Sequence, residues 1–139
     1  MGEIITDAYI DCEEKEQGRC QGCGACKNAC PAKDIGGCLS ALTQKKGDLT
    51  PFEIEAIKSY GYAWGCDKCQ EGCPHTLRAI KNGTIFTNID FFKNDTLASI
   101  SVQDIDRMSD EQFSERAYSW RGKATVLRNL KILETVEKE

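Results

Sequence analysis

The nine cysteines of this 139-residue chain are the residues whose type and spacing most clearly indicate chemistry. Four of them form the run Cys20-x2-Cys23-x2-Cys26-x3-Cys30, which is followed by Pro31. This spacing is typical of bacterial proteins that bind 4Fe–4S clusters, in which three thiolates hold one cluster and the fourth serves another. The run therefore predicts two clusters and a second set of cysteines.

The second set lies some forty residues further along the chain. Cys66-x2-Cys69-x3-Cys73-Pro74 repeats the latter half of the first run, but Ala63 stands near the place of a leading cysteine. This second set therefore lacks one ligand, which a cysteine from elsewhere in the chain must supply.

Cys38 and Cys12 compete for this missing position. We favour Cys38, because the segment after it contains a predicted helix that can return the chain to Cys66. The two runs then exchange their fourth cysteines, and Cys12 is left as an incidental thiol in an acidic stretch. The predicted ligands are Cys20, Cys23, Cys26 and Cys73 for cluster one, and Cys30, Cys38, Cys66 and Cys69 for cluster two.

Zinc is the main alternative, since structural zinc sites use two C-x2-C pairs separated by a spacer. The third cysteine of each run and the prolines after Cys30 and Cys73 favour iron–sulfur clusters instead. Disulfides fit worse, because they would join cysteines within tight loops of a chain we expect in a reducing compartment. A Rieske-type site needs two histidines, and His75 is the only one.

Composition restricts the class of protein. The length predicts one compact unit, and no apolar run approaches the roughly 18 residues of a membrane helix, so we expect a soluble, cytoplasmic protein without a membrane partner. The formal net charge of -4 argues weakly against nonspecific binding of nucleic acids. Bound clusters make the protein more acidic still, which favours protein partners.

The elements that must position the cysteines are mostly helical. Thr50, Pro51 and Glu53 predict a capped, mostly buried helix that ends at Gly61. A second helix should begin after Ser109 with Phe113 facing inward, and a third should run from Lys123 to Glu137. The stretch from Lys81 to Ile100 predicts a covering loop with a turn at Asn82-Gly83, and its aromatic side chains should shield a cluster or pack the core.

The predicted fold class is α+β, mainly α, with irregular cluster-binding loops and a short strand near Ile4-Ile5. We expect a ferredoxin-like core with two 4Fe–4S clusters over residues 1–80, and a helical extension packed on it over residues 81–139. The extension is locally basic. A solvated helix face would account for its basic residues, and so would a surface that binds RNA or an acidic partner. These basic residues are Arg116, Arg121, Lys123, Arg128 and Lys131.

The order of these motifs resembles the epoxyqueuosine reductase family. Beside the two cysteine runs, the resemblance depends on the displaced Cys38, since ordinary ferredoxins keep four cysteines together. It extends over most of the chain. The other segments that carry it are Gly2-Glu3-Ile4-Ile5-Thr6-Asp7, Cys38-Leu39-Ser40-Ala41-Leu42-Thr43, Gly65-Cys66-Asp67-Lys68-Cys69-Gln70, Met108-Ser109-Asp110-Glu111-Gln112-Phe113, Arg121 and Arg128-Asn129.

The resemblance implies an iron–sulfur domain that feeds electrons to cobalamin, in an enzyme that removes the epoxide oxygen of epoxyqueuosine in tRNA. The family's N-terminal half, with the cobalamin pocket and catalytic acid, has no counterpart in these residues. We therefore expect no catalysis by this chain alone, a cobalamin-containing domain as its partner, and tRNA contact only through that partner. A freestanding ferredoxin-like carrier with another redox protein as partner is the alternative, and a structural or RNA-binding domain is a weaker one.

Overall fold

The structure is a computed structural model that describes residues 5–11, 20–33, 37–94 and 96–135, except for the side chain of Phe91. Within these ranges the chain forms helices joined by loops. The helices are α1 (Ala25–Asn28), α2 (Leu39–Thr43), α3 (Pro51–Tyr60), α4 (Lys68–Glu71), α5 (Pro74–Lys81), α6 (Val102–Arg107), α7 (Asp110–Ser114) and α8 (Lys123–Glu134), with two 3-10 turns at Asp90–Phe92 and Ser119–Arg121.

The described ranges contain no β-strand, so the α+β class predicted from the sequence is not confirmed, and the fold is mainly helical. Part of the predicted first strand, including Ile4, lies outside the described residues. The residues that follow it are almost fully accessible, with Ile5 99% and Tyr9 92% exposed. Such a segment has neither the paired neighbour nor the buried face that stabilises a strand.

Helix α3 begins as predicted. The Thr50 hydroxyl accepts a hydrogen bond from the Glu53 N–H, and the Glu53 carboxylate accepts one from the Thr50 N–H, so the capping box is complete. The ammonium of Lys45, at 2.8 Å, and the Thr50 N–H lower the pKa of Glu53 to about 2. Gly61 ends the helix with a φ of 70°, a conformation that glycine adopts without strain.

One part of the prediction for α3 is wrong. Ala56 and Ile57 are buried, but Phe52 is 60% exposed. The helix has apolar residues on more than one face, and only one of those faces packs against α2 and α8. Phe52, in the first turn, stays at the surface.

The hydrophobic core lies among the last three helices. Ser109 caps α7 with Gln112 as predicted, and a third capping box, between Ser101 and Asp104, begins α6. Helix α8 extends to Glu134, and Glu137 lies outside the described residues. Burial of apolar area in this cluster is the main force that orders this part of the chain. The buried side chains of the core are Val102, Ile105, Phe113, Val126 and Leu130.

The segment from residue 81 to residue 100 turns at Asn82-Gly83 as predicted, and Ile100 packs against the core, but most of its large side chains are exposed. Ile85 is 58% exposed and Phe86 is 70% exposed. The prediction that aromatic side chains of this segment pack the core is therefore wrong for Phe86 and Phe92, which is 59% exposed, and their shielding of a cluster stays a prediction. No helix in the described ranges is both long and apolar enough to cross a membrane.

Candidate metal centre

Eight cysteines lie in the described ranges, and all eight are free thiols. They are the eight that the sequence predicts as cluster ligands, whereas Cys12 lies outside the described residues. None of these eight forms a disulfide in the described part of the chain. Cys20, Cys23, Cys26 and Cys38 are exposed, and Cys30, Cys66, Cys69 and Cys73 are half-buried.

The two cysteine runs pack against each other through α1 and α4. The contact is close at Gly72, where an added Cβ atom would lie 2.5 Å from the Cβ of Ala29, which is well inside van der Waals distance. Cys30 directly follows Ala29, and Cys73 directly follows Gly72. The structure therefore brings together the two chain positions whose exchange the crossed ligand assignment requires.

Glycines shape the loops before and between the ligands. Gly22 and Gly24 in the first run have φ values of 68° and 74°, and Gly65, directly before Cys66, has a φ of 68°. Other residues rarely adopt this backbone conformation. The Gly22 N–H donates a hydrogen bond of 3.5 Å to the sulfur of Cys20. N–H donors to sulfur of this kind tune the reduction potential of a bound cluster.

Cys73 lies at the start of α5, and Pro74 occupies the first helical position. The backbone N–H groups of Thr76 and His75 point to its sulfur and hold the pKa of the Cys73 thiol below its usual range. The thiolate is the form that binds metal, so this helix start favours a ligand at this position. His75 itself is exposed.

Helix α2 connects Cys38 to the second cysteine run. Cys38 precedes the helix as its cap, and the buried residue Thr43 ends it. The Thr43 hydroxyl accepts a hydrogen bond of 3.0 Å from the Gly65 N–H, next to Cys66, and donates one to the Ser40 carbonyl. This link holds the helix that begins at Cys38 against the loop that leads into the second run.

Asn129 fixes the same region from α8. Its side chain is fully buried, and its amide nitrogen donates hydrogen bonds of 2.6 Å to the Thr43 carbonyl and 2.8 Å to the Ala63 carbonyl. Arg128 donates to the amide oxygen of Asn129 and to the Gly47 carbonyl. The sequence interpretation missed this role, although a lone Asn between Val126 and Leu130 in an apolar stripe was the available signal.

Trp64, two residues before Cys66, packs against two aromatic rings of the last segment. Its ring makes edge contacts with Tyr118 and with Trp120, each with 6.3 Å between the ring centroids. The guanidinium of Arg121 lies 4.0 Å above the ring of Trp120, which is 60% exposed. These contacts join the loop before Cys66 to the turn that precedes α8.

Several basic residues of the last segment have structural roles. Lys123 donates to the Met108 carbonyl and pairs with Asp110, and Arg128 is bonded as described above. Arg121 stacks on Trp120. A uniformly solvated basic helix face therefore does not describe this segment.

The donor set of the two runs bears on the choice between zinc and iron–sulfur clusters. Among the residues that the structure describes, no three Cys, His, Asp or Glu side chains converge on a point where they could share a single ion. The donor chemistry of the two packed runs fits a 4Fe–4S centre, because they offer free thiols and backbone N–H donors near sulfur.

The comparisons with known proteins agree with the cysteine pattern. A family described as 4Fe-4S binding domain matches residues 17–33 and 60–86. These two stretches contain every predicted ligand except Cys38, which lies between them. The chain therefore contains a 4Fe–4S binding domain. No solved structure matches the chain with statistical significance.

Longer curated proteins match nearly the whole chain. It is 31% identical to an epoxyqueuosine reductase of Gloeobacter violaceus over 92% of its length, which is 44% of that protein. It is 29% identical to an epoxyqueuosine reductase of Listeria monocytogenes over 96% of its length, which is 37% of that protein. A protein of Geobacillus stearothermophilus named "Uncharacterized protein in gldA 3'region" is 30% identical, and 62% of it is covered.

The chain thus spans less than two thirds of the length of these relatives. The resemblance noted from the sequence is confirmed over almost all of the residues present. Together with the matched domain, the comparisons show that the chain is similar to the iron–sulfur part of epoxyqueuosine reductases.

Proposed function

We propose that this chain is an electron-transfer domain that carries two 4Fe–4S clusters in crossed ligation. Cluster one would be held by Cys20, Cys23, Cys26 and Cys73, and cluster two by Cys30, Cys38, Cys66 and Cys69. The observation that carries the proposal is the contact of Gly72 with Ala29, which brings Cys30 and Cys73 into the same region from opposite runs.

When bound, the 4Fe–4S clusters would supply one-electron transfer. The predicted cysteines would hold the iron, and the backbone N–H groups of Gly22, His75 and Thr76 would donate to ligand sulfur. In this division of roles, residues 1–80 form the two-cluster domain. Residues 81–139 form an extension whose last helix, α8, contacts α2 and α3.

For the acceptor we propose a cobalamin-containing catalytic domain, with tRNA as a substrate that meets this chain only through that domain. The named relatives are epoxyqueuosine reductases, and they are longer than this chain, which supports the proposal. A low-potential donor beside a corrin fits the chemistry, because reduced cobalt is difficult to reach. The alternative is a freestanding carrier that delivers electrons to another redox protein.

Anaerobic purification followed by iron and acid-labile sulfide analysis tests the cluster count. Two clusters require about eight of each per chain. A value near four, or zinc in place of iron, would contradict the proposal. For the acceptor, the reduced chain is mixed with a separately expressed cobalamin-binding domain of a relative, and epoxyqueuosine in tRNA is assayed. A complex that forms without turnover would favour the freestanding carrier.

A further inference from the structure

A cleft of about 610 Å³ opens beside Cys38. Cys38 is exposed, so this cleft is a direct approach from solvent to a predicted ligand of cluster two. Its walls come from α2, the loop after it, the start of α3 and the turn before α8. Among the residues that line it are Cys38, Leu42, Lys45, Lys46, Phe52 and Arg121.

The walls of the cleft are locally cationic, in a chain whose formal net charge is -4. Lys45 is paired with Glu53 at 2.8 Å. Lys46 is exposed and has no ion-pair partner among the described residues. The Nε atom of Arg121 is buried and has no acceptor in the described part of the chain. Two of the three cations are therefore not neutralised by a carboxylate.

Two aromatic side chains stand at the surface of the same region. Phe52 lines the cleft, and Trp120 lies beneath the guanidinium of Arg121, and each is 60% exposed. Aromatic residues and arginine are enriched at protein–protein interfaces and contribute disproportionately to their binding energy. The exposure of Phe52, at the start of an otherwise packed helix, has no role in the fold described above.

From these observations we propose that the cleft is the docking site of a small, acidic, low-potential electron-transfer protein that reduces cluster two. The inference rests on the proposed function, because it requires Cys38 to be a cluster ligand. One electron would leave the reduced flavin of such a donor and enter an oxidised 4Fe–4S cluster of this chain, with no proton transferred.

Charge complementarity supports this partner. Electron-transfer complexes are small and transient, and opposite charges accelerate their formation. Lys46 and Arg121 would attract an acidic partner to the cleft that Cys38 lines, against the overall negative charge of the chain. An RNA would need a longer row of cations to neutralise successive phosphates, and these walls do not supply one.

The test is stopped-flow reduction of the cluster-loaded chain by a purified bacterial flavodoxin in its hydroquinone form. We expect the second-order rate constant to fall as ionic strength rises, and K46E to lower it about tenfold at low salt while flattening this dependence. F52A should also lower it. The matched control is K81E, which reverses an exposed charge outside the cleft, and it should leave the rate within about twofold.

Reduction by dithionite, which needs no docking surface, distinguishes a failure of the docking proposal from a failure of the proposed function. If the clusters of a variant are intact, dithionite reduces them at the wild-type rate. The docking proposal would be overturned if the clusters are present but K81E lowers the flavodoxin rate constant as much as K46E does. It would also be overturned if K46E and F52A react with flavodoxin at the wild-type rate.

The same variants discriminate against an RNA-binding role. If K46E weakened binding of labelled tRNA and left the flavodoxin rate unchanged, the cleft would be an RNA contact and the proposal would be wrong. Absence of iron and of dithionite bleaching in the wild type would instead refute the proposed function.

Discussion

The side-chain amide of Asn129 donates a hydrogen bond of 2.6 Å to the backbone carbonyl of Thr43, although the two residues lie 86 positions apart. The same amide donates to the Ala63 carbonyl, so one buried residue of α8 holds both the end of α2 and the loop before Cys66. A helix outside both cysteine runs therefore controls the geometry of the second run.

Replacement of Asn129 by Ala should destabilise the chain by about 2–3 kcal/mol, because two carbonyls at a buried position lose their donor. Urea unfolding under anaerobic conditions, followed by circular dichroism, measures the effect. The matched control is N88A, which removes the same amide from an exposed loop position. Equal unfolding midpoints for the two variants would show that the Asn129 hydrogen bonds contribute nothing.

Replacement of Thr43 by Val keeps the shape of the side chain but leaves the Gly65 N–H without its acceptor. We expect a loss of about 1–3 kcal/mol and faster release of iron to a chelator, since the loop before Cys66 loosens. T125V is the control, because Thr125 is also buried and its hydroxyl bonds to the Arg121 carbonyl in the last segment. Iron release as fast in T125V as in T43V would contradict this account.

Replacement of Gly72 by Ala should separate the two cysteine runs, because the new methyl group would meet the Cβ of Ala29 at 2.5 Å. Overpacking of this kind costs about 1–3 kcal/mol, and we expect a lower iron content in the purified protein. The double variant A29G/G72A removes the opposing methyl group and should recover iron. A single G72A variant with the wild-type iron content would refute the importance of this contact.

The crossed ligand assignment makes a prediction that an uncrossed one does not. In a C20A/C23A background cluster one is lost, and about four iron atoms should remain on Cys30, Cys38, Cys66 and Cys69. Addition of C73A should then change nothing, whereas addition of C30A should remove or degrade the remaining cluster. Iron analysis and electron paramagnetic resonance of the reduced proteins measure this, and the reverse result would establish uncrossed runs.

Cys12 provides the matched control for Cys38. We expect C12A to keep about eight iron atoms and C38A to keep about four, because Thr43, at the end of the helix that follows Cys38, accepts a hydrogen bond from the loop before Cys66. Loss of iron in C12A with retention in C38A would transfer the missing ligand position to Cys12.

Local signals in the sequence were sufficient for the helix starts at Thr50 and Ser109, because a capping box is formed by residues only three positions apart. The start of α6 was missed, since its box uses Asp104 where Glu or Gln is the usual residue. The cysteine runs are equally local, and their spacing alone indicated the type of metal centre that the matched family supports.

Contacts between distant segments could not be predicted in this way. The roles of Asn129 and Thr43 depend on where α8 crosses α2, and nothing in the spacing of either segment specifies that crossing. The exposure of Phe52 and Phe86 was missed for a related reason. Hydrophobicity indicates that a side chain gains from burial, but the surrounding elements decide whether a buried position exists for it.

The hydrogen bond from Asn129 to Thr43 affects when the cysteine site becomes complete while the ribosome synthesises the chain. All eight predicted ligands lie before residue 74, whereas the residue that fixes the loop before Cys66 is at position 129. A nascent chain therefore presents its full set of thiols on the ribosome well before α8 emerges to hold them. Stable cluster insertion should follow the release of α8, so the free thiols of the nascent chain need protection from oxygen until then.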